Sequence, residues 1–156
     1  MKRLAHLTAG LVLFAGYLWA ESAHDEVGRI DLGQGVQVEY EMTPIGDKAN
    51  VHKDERIGPV FGTDGGTPHT KLKKLTLLQG NEKTSLEVSC MYDPWFEQVD
   101  RSRFKVVVRN RRRVVLTGVF SDAAGSYVAE WLIVDGLGVR TLLSNDPSVV
   151  RQKLLH

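Results

Sequence analysis

The chain has 156 residues, 42% hydrophobic, with 20 Lys+Arg against 19 Asp+Glu and a formal charge of +1. That near-balance supplies no global attraction to nucleic acid or to an anionic membrane. A single cysteine, Cys90, excludes an internal disulfide.

The first twenty residues have the layout of an export signal. Lys2 and Arg3 precede an uncharged stretch from Leu7 to Ala20, and polar Glu21-Ser22 follows. Extended back to Leu4 the apolar run is 17 residues long, short of the roughly 20 that a spanning helix needs. We therefore read residues 1–20 as a signal peptide, cut after Ala20 or Ser22, with an uncleaved N-terminal anchor as the alternative. Loss of Lys2 and Arg3 leaves 18 basic against 19 acidic residues, a formal charge of −1. The expectation is a periplasmic chain with one domain over residues 21–156, large enough to need no disulfide staples, and no cofactor is assigned. In an oxidising compartment a lone cysteine is either buried or paired with another chain. Cys90 alternates with Leu86, Val88 and Tyr92, which predicts burial.

After a polar lead-in, Val36 to Met42 alternates apolar and polar residues, the period of a half-buried strand. Residues 43–70 hold Pro44, Gly46, Gly58-Pro59, Gly62, Asp64-Gly65-Gly66 and Pro68, and predict a long loop with one short strand near Pro59–Phe61. Leu72–Gln79 and Ser85–Tyr92 form a predicted hairpin through Gly80-Asn81. Asp93-Pro94-Trp95-Phe96 breaks the pattern and predicts an exposed aromatic turn. Phe104–Val108 and Val114–Phe120 are β-branched runs joined by Arg109-Asn110-Arg111-Arg112-Arg113. Ser121–Ser126 is a small-residue loop before the strand Tyr127–Val134. Asp135-Gly136 then turns the chain into Val139–Leu143. Asp146 as N-cap and Pro147 as first helical residue predict a short C-terminal helix. The sum is a mainly β protein: an antiparallel sandwich or open barrel of six to seven strands with that helix.

No motif names a reaction. A Gly-x-Ser-x-Gly elbow, a phosphate loop and a His-Glu-x-x-His pair are all missing from the sequence. His24, His52, His69 and His156 are scattered without the short paired spacing of zinc ligands, so no metal site and no catalytic residue is assigned. Asp93, Glu97 and Asp100 are close enough in sequence for a glycosidase pair, the lowest-ranked reading.

Three segments remain for binding. Trp95 and Phe96 in an Asp-Pro turn suit sugar stacking or a protein contact, or else fold back to cap the open end of the sandwich. Arg111, Arg112 and Arg113, with Arg101, Arg103, Lys105 and Arg109, suit envelope phosphates or an acidic protein. They equally suit a solvated hairpin tip that prevents edge pairing. The Ser121–Tyr127 segment is the preferred candidate. Gly125 permits close approach, while Asp122, Ser126 and Tyr127 offer hydrogen-bonding groups on a loop held by strands. The alternative makes Tyr127 the first core residue of its strand, on one face with Ala129, Trp131 and Ile133.

Ala124-Gly125-Ser126-Tyr127 resembles, at Gly125 and Tyr127, the Ser-Gly-x-Tyr motif of bacterial lysozyme inhibitors directed at invertebrate lysozymes. Ala124 departs from the motif by lacking a hydroxyl, which Ser126 offers from a neighbouring position. Those inhibitors are small exported β domains that insert the motif loop into the lysozyme cleft. The resemblance implies a protein partner, a lysozyme-like or other peptidoglycan hydrolase, plugged by the 122–127 loop. Periplasmic immunity proteins against cell-wall-hydrolase toxins share the general plan. A module that recognises glycan or an assembly partner through Trp95-Phe96 and the arginine turn is the alternative.

Overall fold

The computed structural model describes residues 24–45, 59–96, 101–110 and 112–155. Residues 1–20, expected to be an export signal, the middle of the long loop, Glu97, Asp100 and Arg111 lie outside the described residues.

The described chain forms two four-stranded antiparallel sheets, each a meander in sequence order. The first holds β1 (Glu26–Gly33), β2 (Val36–Pro44), β3 (Thr70–Gln79) and β4 (Glu82–Leu86). The second holds β5 (Phe104–Asn110), β6 (Arg113–Phe120), β7 (Tyr127–Val134) and β8 (Leu137–Ser144). Helix α1 (Pro147–Leu155) closes the described chain. The sheets bury one core between them, so the architecture is sandwich-like, with no closed barrel. None of the described helices is long and apolar enough to cross a membrane.

Eight strands replace the expected six to seven, because the polar lead-in is itself β1. Its alternation was masked by Glu26 and Gly28 at inward positions. Gly28 is opposite Tyr40, and a Cβ there would lie 2.2 Å from the Tyr40 hydroxyl. The aromatic ring thus fills the space that a side chain on β1 would occupy.

β3 breaks strict alternation in a physically instructive way. Leu72 and Leu75 are both buried although three residues apart, and Lys73 and Lys74 between them are both exposed. A bulge resolves the phase: Glu41 pairs with Lys74 while adjacent Met42 pairs with Leu72, leaving Lys73 as the extra residue. Its ammonium reaches Asp25 at 2.6 Å and Glu41 at 2.5 Å. These two carboxylates raise the lysine's pKa far above its ordinary value.

Turn chemistry matches the sequence. Asp135 and Gly136 take φ of 50° and 77°, and Gln34 and Gly35 take 55° and 72°, the left-handed pairs that suit the twist of two-residue hairpins. Asp146 caps α1, its Oδ1 accepting the Ser148 N–H at 2.7 Å. Val149 and Val150 then dock on Val119, Val128 and Leu142 of the second sheet's outer face.

One strand ends earlier than expected. β4 stops at Leu86, and Cys90 adopts φ of 65° in the turn beyond it. Cys90 is therefore half-buried against the core instead of fully covered on a strand face. The short strand expected near Pro59–Phe61 is a single bridge between Phe61 and Met91.

Candidate functional site

The most constrained region is the sandwich end where the 93–96 turn meets the 121–126 loop. Among the described residues, seven non-glycine residues have positive φ, and four sit here: Asp93 at 38°, Trp95 at 54°, Ser121 at 60° and Ala123 at 44°. Each such conformation costs on the order of 1 kcal/mol, so the surroundings must hold it.

Asp93 is the main clamp. It is buried, and its Oδ1 accepts the backbone N–H of His69 at 2.9 Å and of Thr70 at 2.7 Å, plus the Thr70 hydroxyl at 3.1 Å. Its own N–H donates to the Thr70 carbonyl at 3.0 Å. A buried carboxylate is tolerated because donors surround it. The next residue ties the turn to its neighbour: the Ser121 N–H donates to the Pro94 carbonyl at 3.2 Å. The Ser121 hydroxyl donates to the Gly62 carbonyl at 3.3 Å, and Arg103 Nη1 donates to the Ser121 carbonyl at 2.5 Å. Segments 62, 93–95 and 121 are thereby locked together.

The two aromatics of the turn part company. Phe96 is buried, stacked on Tyr40 with centroids 4.0 Å apart and edge-on to Phe120. It caps the core, and so does not belong to an exposed aromatic pair. Trp95 remains 43% exposed. Beside Trp95 an open cleft of about 350 Å³ is bordered by Glu26, Met42, His69, Asp93 and Phe96. Two carboxylates and an indole give it an acidic, aromatic character.

In the neighbouring loop, the Gly125 N–H donates to the Asp122 carbonyl and the Ser126 N–H to the Ala123 carbonyl, at 3.0 and 3.3 Å. This single 3-10 turn exposes Ala123 and Ala124, with Asp122 and Ser126 half-exposed. Gly125 faces inward, and a Cβ there would lie 3.0 Å from the Gly62 carbonyl oxygen. Tyr127 is fully buried, its hydroxyl donating to the Tyr92 carbonyl at 3.1 Å. Burial and the Asp93 charge push its pKa well above the ordinary phenol value. Gly125 and Tyr127 are thus structural parts of the loop, correcting the expectation that both line a contact surface. Asp122 and Ser126 are half-exposed on the same turn.

Comparison with known protein families, curated proteins and solved structures finds no match.

The arginine turn lies at the other end of the β6–β7 ribbon, since Arg113 pairs with Val134 and Phe120 with Tyr127. Arg112 and Arg113 are exposed, and Arg112 Nε lies 3.6 Å from Asp135. The fold therefore joins Trp95 to the 121–126 loop, brings Arg103 to that loop as a structural donor to Ser121, and separates both segments from Arg112 and Arg113. No group of three or more His, Cys, Asp or Glu that could hold a metal occurs among the described residues. Sequence reasoning missed Glu26, His69 and the clamping role of Asp93. Only the Asp-Pro turn itself marked the last of these.

Proposed function

We propose that this chain is an exported, non-catalytic binding protein that inhibits a peptidoglycan-cleaving glycoside hydrolase in the periplasm, a lysozyme or toxin muramidase. The observation that carries the reading is the braced ledge formed by Asp122, Ala123, Ala124 and Ser126 beside exposed Trp95. A loop already fixed by Asp93, Ser121 and Gly125 loses little entropy on docking. Small side chains at its tip let the backbone enter a narrow cleft, and Asp122 and Ser126 supply polar groups at the rim. Tyr127 supports the loop from below and makes no contact with the enzyme.

The test is a muramidase assay over a panel of lysozymes and toxin muramidases. Wild type slows at least one of them; Ala124→Trp and a Ser126→Ala, Trp95→Ala double variant release the inhibition without changing the melting temperature. Unchanged rates for every muramidase with wild type sink the proposal.

The Trp95 cleft favours a second reading, an envelope module that stacks a sugar on the indole. In that case peptidoglycan pull-down succeeds, is abolished by Trp95→Ala, and is indifferent to Ala124→Trp.

A further inference from the structure

The outer face of the second sheet is covered over only part of its length. Helix α1 lies across one part, over Val119, Val128 and Leu142. Next to it the pairing register sets Val107, Val115, Leu132 and Val139 in one rung across all four strands. The following rung places Leu137 beside Val134 and Arg113. Leu137 is 74% exposed, Val139 61% and Val134 40%. A water-facing strand face ordinarily carries polar side chains; here one whole rung is Val and Leu, and the next adds Val134 and Leu137 beside Arg113.

The rim of this strip is basic. Arg109 shares the outer face of β5 with Val107 and borders a groove with Val115. No acidic residue among the described ones pairs with Arg109 or Arg113. The acids of this sheet nearest to them are engaged, Asp135 by Arg112 at 3.6 Å and Glu130 by Lys153 at 2.5 Å, while Glu82 of the other sheet borders Arg112 and Asp135 beyond the strip. An exposed apolar strip on a rigid sheet, edged by unpaired arginines, is a surface built for a partner.

We propose that this face docks on the surface of an anionic phospholipid bilayer. The side chains of Leu137, Val139 and Val134 enter the boundary between headgroups and acyl chains, and Arg109 and Arg113 meet lipid phosphates. Charge complementarity selects this occupant. A second copy laid two-fold on the same face would crowd the arginines of both copies into one interface where, among the described residues of that sheet face, the acid Glu130 is already held by Lys153. The chain as a whole is nearly neutral, so the attraction is local and acts within a Debye length.

Co-sedimentation tests it. The protein is purified as its host releases it, its N-terminus is read by mass spectrometry, and it is mixed with vesicles of phosphatidylcholine alone or phosphatidylcholine with phosphatidylglycerol. Any retained N-terminal apolar segment is common to all variants, so their comparison isolates the sheet face. Wild type binds the anionic vesicles better than the neutral ones, and raising salt weakens that preference. A Leu137→Asp, Val139→Asp double variant binds anionic vesicles about tenfold less, and Arg109→Gln, Arg113→Gln lowers binding several-fold. All four positions are exposed, and an unchanged thermal melt verifies folding. Equal binding to both vesicle types overturns the proposal, as does binding that ignores these substitutions. A dimer dissociated by Leu137→Asp without vesicle binding assigns the face to a second copy and also overturns it.

Discussion

The hydroxyl of Tyr127 donates to the carbonyl of Tyr92 across the core, at 3.1 Å, and joins the start of β7 to the turn that carries Trp95. With the direct Ser121–Pro94 bond, it gives the loop 121–126 and the turn 93–96 a shared foundation. Tyr127→Phe keeps the ring, which stacks on Phe120 at 5.3 Å, and removes only the donor. The expected cost is about 1–2 kcal/mol, measured by urea denaturation, with any binding through the exposed ledge retained.

The same residue sets an alkaline limit. Its phenol is held protonated well above the ordinary value of 10.0 by burial, and next by the Asp93 charge. In the unfolded chain it ionises near that ordinary value. Above it the unfolded state binds fewer protons than the folded state, so stability falls as pH rises. Denaturation midpoints across the alkaline range fall for wild type and fall less for Tyr127→Phe.

Gly62 takes φ of 105°, and a Cβ there would lie 1.9 Å from the Tyr92 carbonyl oxygen. Gly62→Ala therefore meets backbone as well as an unfavourable φ. The loss is about 3 kcal/mol, seen as a lower urea midpoint. Gly65→Ala, at φ of 70° with open space around it, loses only about 1 kcal/mol.

Asp93→Ala leaves the His69 and Thr70 N–H groups without their acceptor. The expected destabilisation is about 3 kcal/mol. Because the turn is also joined to Ser121 through Pro94, hydrogen exchange at the 121–126 amides accelerates in the variant. Unchanged exchange there would show that the two loops are independent.

Glu130 anchors α1 through Lys153 and also accepts from the Thr117 hydroxyl at 3.1 Å. Burial pushes its pKa up, but the Lys153 ammonium and the Thr117 and Thr141 hydroxyls outweigh it, leaving a net lowering from 4.5. The stabilisation is present above that ordinary value and fades as pH falls through the lowered one. Glu130→Gln costs about 1 kcal/mol near neutrality and shows less acid sensitivity in melts followed by helix circular dichroism.

Most of the scaffold was legible in the residues. Alternation over Val36–Met42, the strand-forming run Tyr127–Val134, the Asp135-Gly136 turn and the Asp146-Pro147 cap each specify local geometry, because side-chain period and φ preference are properties of neighbours in sequence. β1 escaped notice because its inward Glu26 and Gly28 are apolar neither in type nor in pattern; Tyr40 on the next strand fills that space. The ledge residues Asp122 and Ser126 were found as loop residues on a strand end. The burial of Phe96, Gly125 and Tyr127 was not, since a turn's coverage depends on contacts distant in the chain, such as Phe96 with Tyr40 and Gly125 with Gly62. By itself the sequence determined that the chain folds into antiparallel hairpins with a capped helix. Tertiary structure alone decided which of its loop residues became core and which were left facing water, because burial is a property of two surfaces meeting and one strand's pattern describes only its own.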